Sequence, residues 1–303
     1  MDAYIWGELA ALGASVCFTF GPTFFTLAGR ELGGITVNRM RLLLGTLYLV
    51  LFHWLYYGTP FPPGPKEALG YLLLSGAVGM GLGDAFMLSA FVCLGPRMTL
   101  LILNLSPVLA TVAAWVLFQE HLSLEQLMAI GLVLGGVSWV VLERGEANEE
   151  GERPLRYPIR GIIYAVIAAV VGTIGTLLAK QGLRLGLPPI SGSMVRLFGG
   201  MLVTWVWTTL SGQFWATWRA FLSRPRAFLF TALGVLIGPV LGMTLMLVAM
   251  NLVPLGIATT LASLAPVLIL PIGRWIFKER ISGQAIVGTL LATAGVIWLL
   301  GGR

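Results

Sequence analysis

Charged residues are scarce in this 303-residue chain, and their scarcity excludes a water-soluble fold. Asp, Glu, Lys and Arg make up 11% of the residues, whereas hydrophobic residues make up 57%. Soluble domains carry roughly 25% charged residues, so too few are present here to cover a soluble protein of this length. The net charge of +6 arises from arginines near the ends of apolar runs. Such arginines favour contact with lipid headgroups and give no sign of nucleic-acid binding.

Residues that usually carry catalysis or bind metals are also few. The chain has two cysteines, Cys17 and Cys93, and two histidines, His53 and His121, without metal-ligand spacing. It contains no Gly-x-Ser-x-Gly elbow, no phosphate-binding lysine motif and no paired aspartates. We therefore expect no catalytic residues, no metal and no cofactor, with a membrane-embedded transferase as the enzymatic alternative.

The chain contains instead one pattern written twice. The segment 105–109 (LSPVL) returns as 264–268 (LAPVL), and 118–123 (FQEHLS) returns as 277–282 (FKERIS), both 159 positions later. Each copy holds five apolar spans. Because five is odd, the second copy must be inverted relative to the first across a membrane, as in many secondary transporters.

We therefore predict an all-α integral membrane protein with ten transmembrane helices, arranged as two inverted five-helix repeats around a central cavity. The first repeat spans 1–143, a polar linker spans 144–157, and the second repeat spans 158–303. Each predicted helix reaches the roughly 20 residues that a bilayer core requires. The helices are predicted at 4–28, 35–57, 67–92, 97–118, 123–142, 158–182, 189–211, 226–250, 256–277 and 283–301.

Small residues at four-residue spacing predict where helices pack closely. Alternatively, smooth glycine faces on helices 3 and 8 would permit sliding. The glycines are Gly79 with Gly83, Gly131 with Gly135, and Gly234 with Gly238 and Gly242.

Prolines within predicted helices point to a binding site, because each removes a backbone hydrogen bond at membrane depth. We interpret Gly21, Pro22, Pro107, Pro239 and Pro266 as helix breaks with a gating role. Short polar side chains lie near the same level, although helical hydroxyls often bond only their own backbone. The predicted substrate-binding residues are Thr23, Asp84, Asn104, Ser106, Lys180, Thr244, Thr260 and Ser263.

Two ionisable residues of the first copy are predicted to meet inside the membrane. Side N denotes the membrane face at which the first helix begins, and side X the opposite face. At 1.5 Å per residue, Arg41 lies about 9 Å and Asp84 about 6 Å from the midplane, both toward side X. An unpaired charge there costs about 3 kcal/mol or more. We therefore expect an Asp84–Arg41 pair or a water-filled cavity that holds both.

The second copy repeats only part of this arrangement. Arg196 is the equivalent of Arg41, but Met243 occupies the equivalent of Asp84. Glu8 lies at a depth from which it could serve Arg196 or Lys180. We interpret the arginines and Glu8 as structural ion-pair residues, and Asp84 and Lys180 as the better functional candidates, with Asp84 able to exchange a proton.

These residues resemble those of the EamA-type drug/metabolite transporter superfamily. The resemblance covers Arg-x3-Gly in the second helix of each copy, Gly83-Asp84, the fourth-helix proline and the Phe-x-Glu-x-x-Ser turn. It implies a ten-helix carrier whose cavity is lined by helices 1, 3, 4, 6, 8 and 9, with helices 5 and 10 more peripheral. Amino-acid, metabolite, drug and nucleotide-sugar carriers all occur in the superfamily.

The orientation of the chain has two conflicting indications. The resemblance implies that both termini lie in the cytoplasm, whereas the positive-inside rule places the arginine-rich side X there. The charge count is the more direct argument. Side X collects Arg30, Arg39, Arg41, Arg97, Arg144, Arg153, Arg156, Arg160, Arg219, Arg224, Arg226, Arg274, Lys278 and Arg280, against Lys66, Lys180, Arg184, Arg196 and Arg303 on side N.

The few charges and scattered hydroxyls predict a small-molecule substrate. Polyanions would need several facing cations, so we expect an exporter of small metabolites such as amino acids, working by alternating access. A multidrug or hydrophobic-cation exporter is the alternative, and a channel is a further one. We expect a multi-pass protein of a bacterial-type plasma membrane, monomeric or weakly dimeric, whose partners are substrate and membrane lipids.

Overall fold

The computed structural model describes residues 3–146, 158–268 and 283–301, and all regular structure in these ranges is helical. The predicted linker lies outside the described residues except for its first residues, which continue a helix to Glu146. The helices are α1 Ala3–Leu32, α2 Gly34–Tyr57, α3 Lys66–Gly76, α4 Asp84–Leu103, α5 Ser106–Phe118, α6 Leu124–Glu146, α7 Pro158–Arg184, α8 Pro189–Leu210, α9 Phe214–Leu222, α10 Pro225–Val235, α11 Met243–Leu252, α12 Leu255–Ala262 and α13 Gly283–Gly301.

Eight stretches of the described chain are long and apolar enough to cross a membrane. Two are composite and are named here span 3, Lys66–Leu94, and span 8, Pro225–Leu252. The predicted seventh helix corresponds to α8, which lies outside these eight. The predicted ninth corresponds to the shorter apolar stretch Leu255–Leu268, after which residues 269–282 are not described. The described structure thus supports a multi-pass helical membrane protein, and the total of ten stays a prediction.

Both copies depart from regular α-helix at equivalent positions. A π-helical segment occupies Ala77–Gly83 in span 3, and another occupies Leu236–Gly242 in span 8. Turns interrupt the following helices at 104–105 and at 263–264. All these departures are separated by the 159 positions that relate the two copies. The internal repeat therefore includes these irregular segments as well as the regular helices, and π turns are frequent at functional sites.

The chain reverses direction between Leu94 in α4 and Ser106 at the start of α5. A β-carbon on Gly161 would lie 2.6 Å from the Cβ of Leu94, so Leu94 is near the start of α7. The carbonyl of Ser106 lies 3.5 Å from the hydroxyl of Thr173, twelve residues further along α7. A straight continuation would move away from Thr173, so the chain turns back between Leu94 and Ser106.

Contacts among the helices fix the direction of α8. Trp205 donates from Nε1 to the Arg39 carbonyl at 3.1 Å, while Ser191 lies 3.0 Å from His53 Nε2, so α8 is antiparallel to α2. The single residue Gly33, at φ 78°, joins α1 to α2. Only glycine adopts such a φ without cost, and this tight connection makes α1 and α2 antiparallel. Consequently α8 runs parallel to α1.

The direction of α7 follows from its contact with span 3. Span 3 runs parallel to α8, because Leu72 lies beside Gly192 and Val203 beside Gly81. It runs antiparallel to α7, because Ser75 donates to the Gly175 carbonyl and Leu94 lies beside Gly161. The first helices of the two copies, α1 and α7, are therefore antiparallel, and the copies are inverted relative to each other.

The last described helix of each copy, α6 and α13, pack along each other. A β-carbon on Gly136 would lie 2.5 Å from the nitrogen of Ala292, and one on Gly295 would lie 2.8 Å from the nitrogen of Val133. The prediction for Gly131 and Gly135 was wrong, because both face open space. The close contact is displaced by one residue, which on a helix is about 100° of rotation.

A short amphipathic helix, α9, follows α8 and was not predicted from the sequence. Arg39 of α2, only 7% exposed, donates to Thr217 Oγ1 at 2.9 Å and to Gln213 Oε1 at 2.7 Å. Phe221, a residue of α9 itself, is also buried. Arg39 therefore fastens α9 at side X and is not a freely exposed charge, although it remains on that face.

Buried hydrophobic residues are distributed unequally between the two membrane faces. Toward side N, one continuous cluster joins both copies; among its members are Ala10, Ala14, Ala114, Ala179, Leu247, Val253 and Leu261. Toward side X, the described core splits into three separate clusters. One contains Ala28, Val37 and Ala227, a second contains Ala90, Leu94 and Ala165, and a third contains Val137, Val140 and Ala285. The described packing is thus closed toward side N and divided toward side X.

Candidate functional site

The central feature of the site is an ion pair between α2 and the start of α4. Arg41 Nη2 donates to Asp84 Oδ2, and the two side chains retain 19% and 16% exposure. The guanidinium carbon of Arg41 also lies 5.8 Å from the ring centroid of Phe25 on α1. Arg41 thus links α1, α2 and α4. The pair lies toward side X.

Arg196 of α8 belongs to the same charged cluster. Its side chain is buried, and its Nη2 lies 3.6 Å from the point where a Gly79 β-carbon would be. Its charge attracts that of Asp84. One acid therefore lies near two arginines that occupy equivalent positions in the two copies. We name Arg41, Asp84 and Arg196 the central cluster.

A second ion pair joins the two copies toward side N. Lys180 of α7 pairs with Glu120, which follows α5 and was not indicated as its partner by the sequence. Glu120 Oε2 also accepts a hydrogen bond of 2.7 Å from the backbone nitrogen of Leu255, and Lys180 Nζ lies 3.4 Å from the carbonyl of Val253. We name these four residues the side-N lock.

Glu8, the other acid considered for Lys180 or Arg196, is buried on α1, 1% exposed. Its neighbour Gly7 approaches Val253, where a β-carbon would lie 2.6 Å from Val253 Cγ1. Glu8 therefore lies near the side-N lock and far from the central cluster.

Equivalent threonines bridge the copies at the helix interruptions. Thr19 of α1 lies 3.4 Å from the carbonyl of Ala265, and Thr173 of α7 lies 3.5 Å from the carbonyl of Ser106. Each threonine also donates to the carbonyl four residues earlier in its own helix. Each interrupted helix is thus contacted by the first helix of the other copy. Neither threonine was singled out in the sequence, because only the tertiary contact distinguishes them.

Most of the predicted substrate-binding hydroxyls bond their own helix. Thr23 donates to the Thr19 carbonyl at 2.9 Å, Ser263 to the Thr260 carbonyl at 2.7 Å, and Thr244 to the Val240 carbonyl at 2.6 Å, with Ser193 a further partner of Thr244. These hydroxyls can still offer lone pairs to a ligand.

Two predicted polar groups have no partner among the described residues. Asn104 Nδ2 and Thr260 Oγ1 are buried without a hydrogen bond there. Asn104 lies in the interruption between α4 and α5, whereas Thr260 lies one turn before the equivalent interruption. A buried donor without a partner is costly, so these two groups are the most available of the predicted binding residues.

The prolines differ in what they do to the backbone. Pro107 begins the helix that follows the first interruption, Pro266 follows the second, and Pro239 lies inside the π-helical segment of span 8. For Pro22 and Gly21 the predicted break was wrong, because α1 continues through both. A proline removes only one hydrogen bond, and the surrounding turns of this 30-residue helix hold it.

Gly21 has a packing role instead. A β-carbon there would lie 2.9 Å from the Cα of Gly238, so α1 and span 8 approach backbone to backbone. Because lipid supplies no hydrophobic force between helices, such close approach is a main source of their attraction.

The described residues contain no group of three or more His, Cys, Asp or Glu side chains that could hold a metal ion. What they do contain are inverted copies, interrupted helices and paired charges between the copies. These features define a helical membrane protein built from two inverted repeats, an architecture found in many secondary transporters.

The chain belongs to the EamA-like transporter family. The family's sequence model matches residues 5–142 and, a second time, residues 159–301. The resemblance stated from the sequence is therefore confirmed, and the protein is a multi-pass membrane protein of a transporter family.

The fold is also similar to that of a solved structure described only as a crystal structure of a protein. The similarity covers 96% of this chain and 95% of the other, with a TM-score of 0.72 and 16% sequence identity. At this identity the likeness concerns the fold alone. No curated protein matches the chain.

Proposed function

We propose that this protein is a secondary-active carrier that exports small metabolites such as amino acids by alternating access. The unequal packing of the two faces carries the proposal. One continuous core joins the two copies toward side N, while the core toward side X is split into three clusters. A carrier needs a conformation with access from one side only, whereas a channel needs a path open to both.

The charges between the copies support the same mechanism. The side-N lock connects Glu120 of the first copy with Lys180 and Leu255 of the second. Opening toward side N requires these contacts to separate while the two copies rock about the central cluster. Each of these contacts consists of a few hydrogen bonds. Substrate binding can therefore supply the free energy that is needed to separate them.

Few charges lie near the proposed site, so the substrate is small and carries few charges. The described helices present hydroxyls, the Asn104 amide and the central cluster among apolar walls, which is the usual make-up of a small-molecule site. A hydrophobic cation would have only Asp84 to attract it, and Arg41 and Arg196 would repel it. We therefore favour amino acids over cationic drugs, and a bacterial-type plasma membrane as the location.

Flux measurements with the purified protein in lipid vesicles test this proposal. Vesicles loaded with unlabelled amino acid should take up the labelled compound transiently above equilibrium, and initial rates should saturate with concentration. Protein-free vesicles and a panel of hydrophobic cations provide the controls. Linear, unsaturable flux without counterflow would indicate a channel, and absence of flux for all compounds would reject the proposed function.

A further inference from the structure

The central cluster is one negative charge short among the described residues. Arg41 and Arg196 occupy equivalent positions in the two copies, but only the first copy supplies an acid, because Met243 stands where the repeat would place the second. Asp84 forms its hydrogen-bonded ion pair with Arg41. The cluster thus holds two guanidinium groups and one carboxylate inside the membrane.

Arg196 is the arginine with the weaker compensation. Its side chain is more than nine-tenths buried, and its Nε has no hydrogen-bond acceptor in the part of the chain that the structure describes. Arg41 likewise has a buried Nε without an acceptor there. Because unpaired charge at membrane depth is costly and usually marks a substrate or ion pathway, these unused donors point to an acceptor that the chain does not supply.

Space for such an acceptor lies beside the cluster. Span 3 presents Gly79 and Gly83 next to Asp84, and a β-carbon added at Gly83 would make only ordinary van der Waals contacts, the nearest at 3.6 Å. Across from it on α7, a β-carbon on Gly172 would meet no atom within 4 Å. The tight contact between Gly79 and Gly175 therefore widens toward Asp84.

We propose that a carboxylate of the substrate completes the central cluster by binding Arg196, while the substrate's ammonium group faces Asp84. This inference rests on the proposed function and names the chemistry that its site selects. A guanidinium fork binds carboxylates in a bidentate geometry, and Arg196 and Asp84 offer groups of opposite charge. An α-amino acid matches both, since its two charges are separated by one carbon.

The charge balance disfavours the other ligand classes considered. A hydrophobic cation would raise the cluster from one excess positive charge to two, whereas a zwitterionic amino acid leaves the total at one and sets its carboxylate against Arg196. A polyanion would need further cations, and two of the other described basic residues within the helices are already engaged, Lys180 by Glu120 and Arg39 by α9.

Matched ligands test the inference on the unaltered protein. The probes are L-leucine, L-threonine and L-phenylalanine, each with its amide, which keeps the side chain and the ammonium group but lacks the carboxylate. Competition against counterflow of the labelled amino acid should show the amide weaker by about 100-fold, since a polar site left unpaired rejects such analogues strongly. Equal competition by acid and amide would overturn the inference while leaving the carrier function intact.

Variants assign the effect to Arg196. Arg196→Gln should raise the half-saturating concentration of the amino acid by about 10-fold or more and leave that of the amide unchanged, because only the acid loses its partner. Arg196→Lys keeps the charge without the fork and should lie between. Arg219→Gln, an exposed arginine of α9, is the matched control. If Arg196→Gln does not fold, Arg196→Lys provides the comparison, and unchanged acid-to-amide selectivity in it would contradict the assignment.

Discussion

Gly79 and Gly175 face each other across the contact between span 3 and α7, and neither has room for a side chain. A β-carbon on Gly79 would lie 3.3 Å from the Cα of Gly175, and one on Gly175 would lie 2.7 Å from the Cα of Gly79. Because the obstructing atoms belong to the backbone, they cannot rotate away. The two copies are therefore in contact at this point through main chain alone.

Gly175→Ala should destabilise the protein by about 1–3 kcal/mol, the usual cost of overpacking. The measurement is unfolding of the purified protein in lipid bicelles. Gly131→Ala makes the same chemical change on a helix face with open space, and should be neutral or stabilising by up to about 1 kcal/mol, since alanine is the better helix former. Equal stability of the two variants would contradict the proposed contact.

Breaking the side-N lock should open the structure toward side N. Lys180→Met leaves the partly buried Glu120 without its cation, which we expect to cost about 3 kcal/mol. A cysteine substituted for the fully buried Ala258 near this lock, in a background without Cys17 and Cys93, should then react faster with an impermeant thiol reagent from side N.

Glu120→Gln should have a smaller effect, because its amide oxygen can still accept the Leu255 N–H. Glu125→Gln, an exposed acid of α6, is the control. The lock has no gating role if Lys180→Met leaves both the labelling rate and the counterflow rate unchanged.

Asp84→Asn should abolish concentrative transport while the protein still inserts and folds. The second copy keeps no acid at the equivalent position, which is expected of a residue that acts on substrate or proton and not of a symmetric support. Accumulation is measured in vesicles with an imposed pH gradient, and Glu67→Gln, an exposed acid of the same span, serves as control.

The ion pair between Asp84 and Arg41 must open if Asp84 is to exchange a proton. An acid that exchanges a proton must separate from Arg41 during the cycle, because the paired arginine favours its charged form. The double variant Arg41→Gln with Asp84→Asn removes both charges and should recover stability without recovering accumulation. Accumulation that keeps its pH dependence in Asp84→Asn would return Asp84 to a purely structural role.

A reporter fused after Arg303 should behave as extracytoplasmic. The prediction follows from the arginines on side X, which the positive-inside rule places in the cytoplasm. A truncated fusion after Arg224, on the opposite face at the end of α9, should report the cytoplasm. The reverse pair of results would show that the orientation implied by the family resemblance overrides the arginine count.

The repeat made much of the architecture predictable. The offset of 159 positions brought Pro107 into register with Pro266, and the interruptions at 104–105 and 263–264 keep the same register. Depth arithmetic placed Arg41 and Asp84 at one level, where the structure has them paired. Periodicity and helix rise are properties of single helices, and both can be read from the chain.

Contacts that depend on how helices cross could not be obtained in this way. Glu120 lies in a turn, so no helical depth could be assigned to its side chain, and its pairing with Lys180 remained hidden. The choice between Gly135 and Gly136 at the α6–α13 contact depends on helix rotation, which glycine spacing leaves open. The helix α9 has only nine residues and follows a long apolar run, so its amphipathic pattern was not distinguished from a loop.

The side-N lock has no exact mirror in the first copy, because Pro96 stands where the repeat would place Leu255 and has no N–H to donate. In the proposed transport cycle, the conformation open toward side N and the conformation open toward side X therefore differ in free energy, even when the solutions on both sides are identical. A site that rests open toward side X is found more often by substrate from that side. Half-saturation should then occur at lower concentration from side X, with a correspondingly slower maximal rate, since the opposing one-way fluxes must balance when both concentrations are equal.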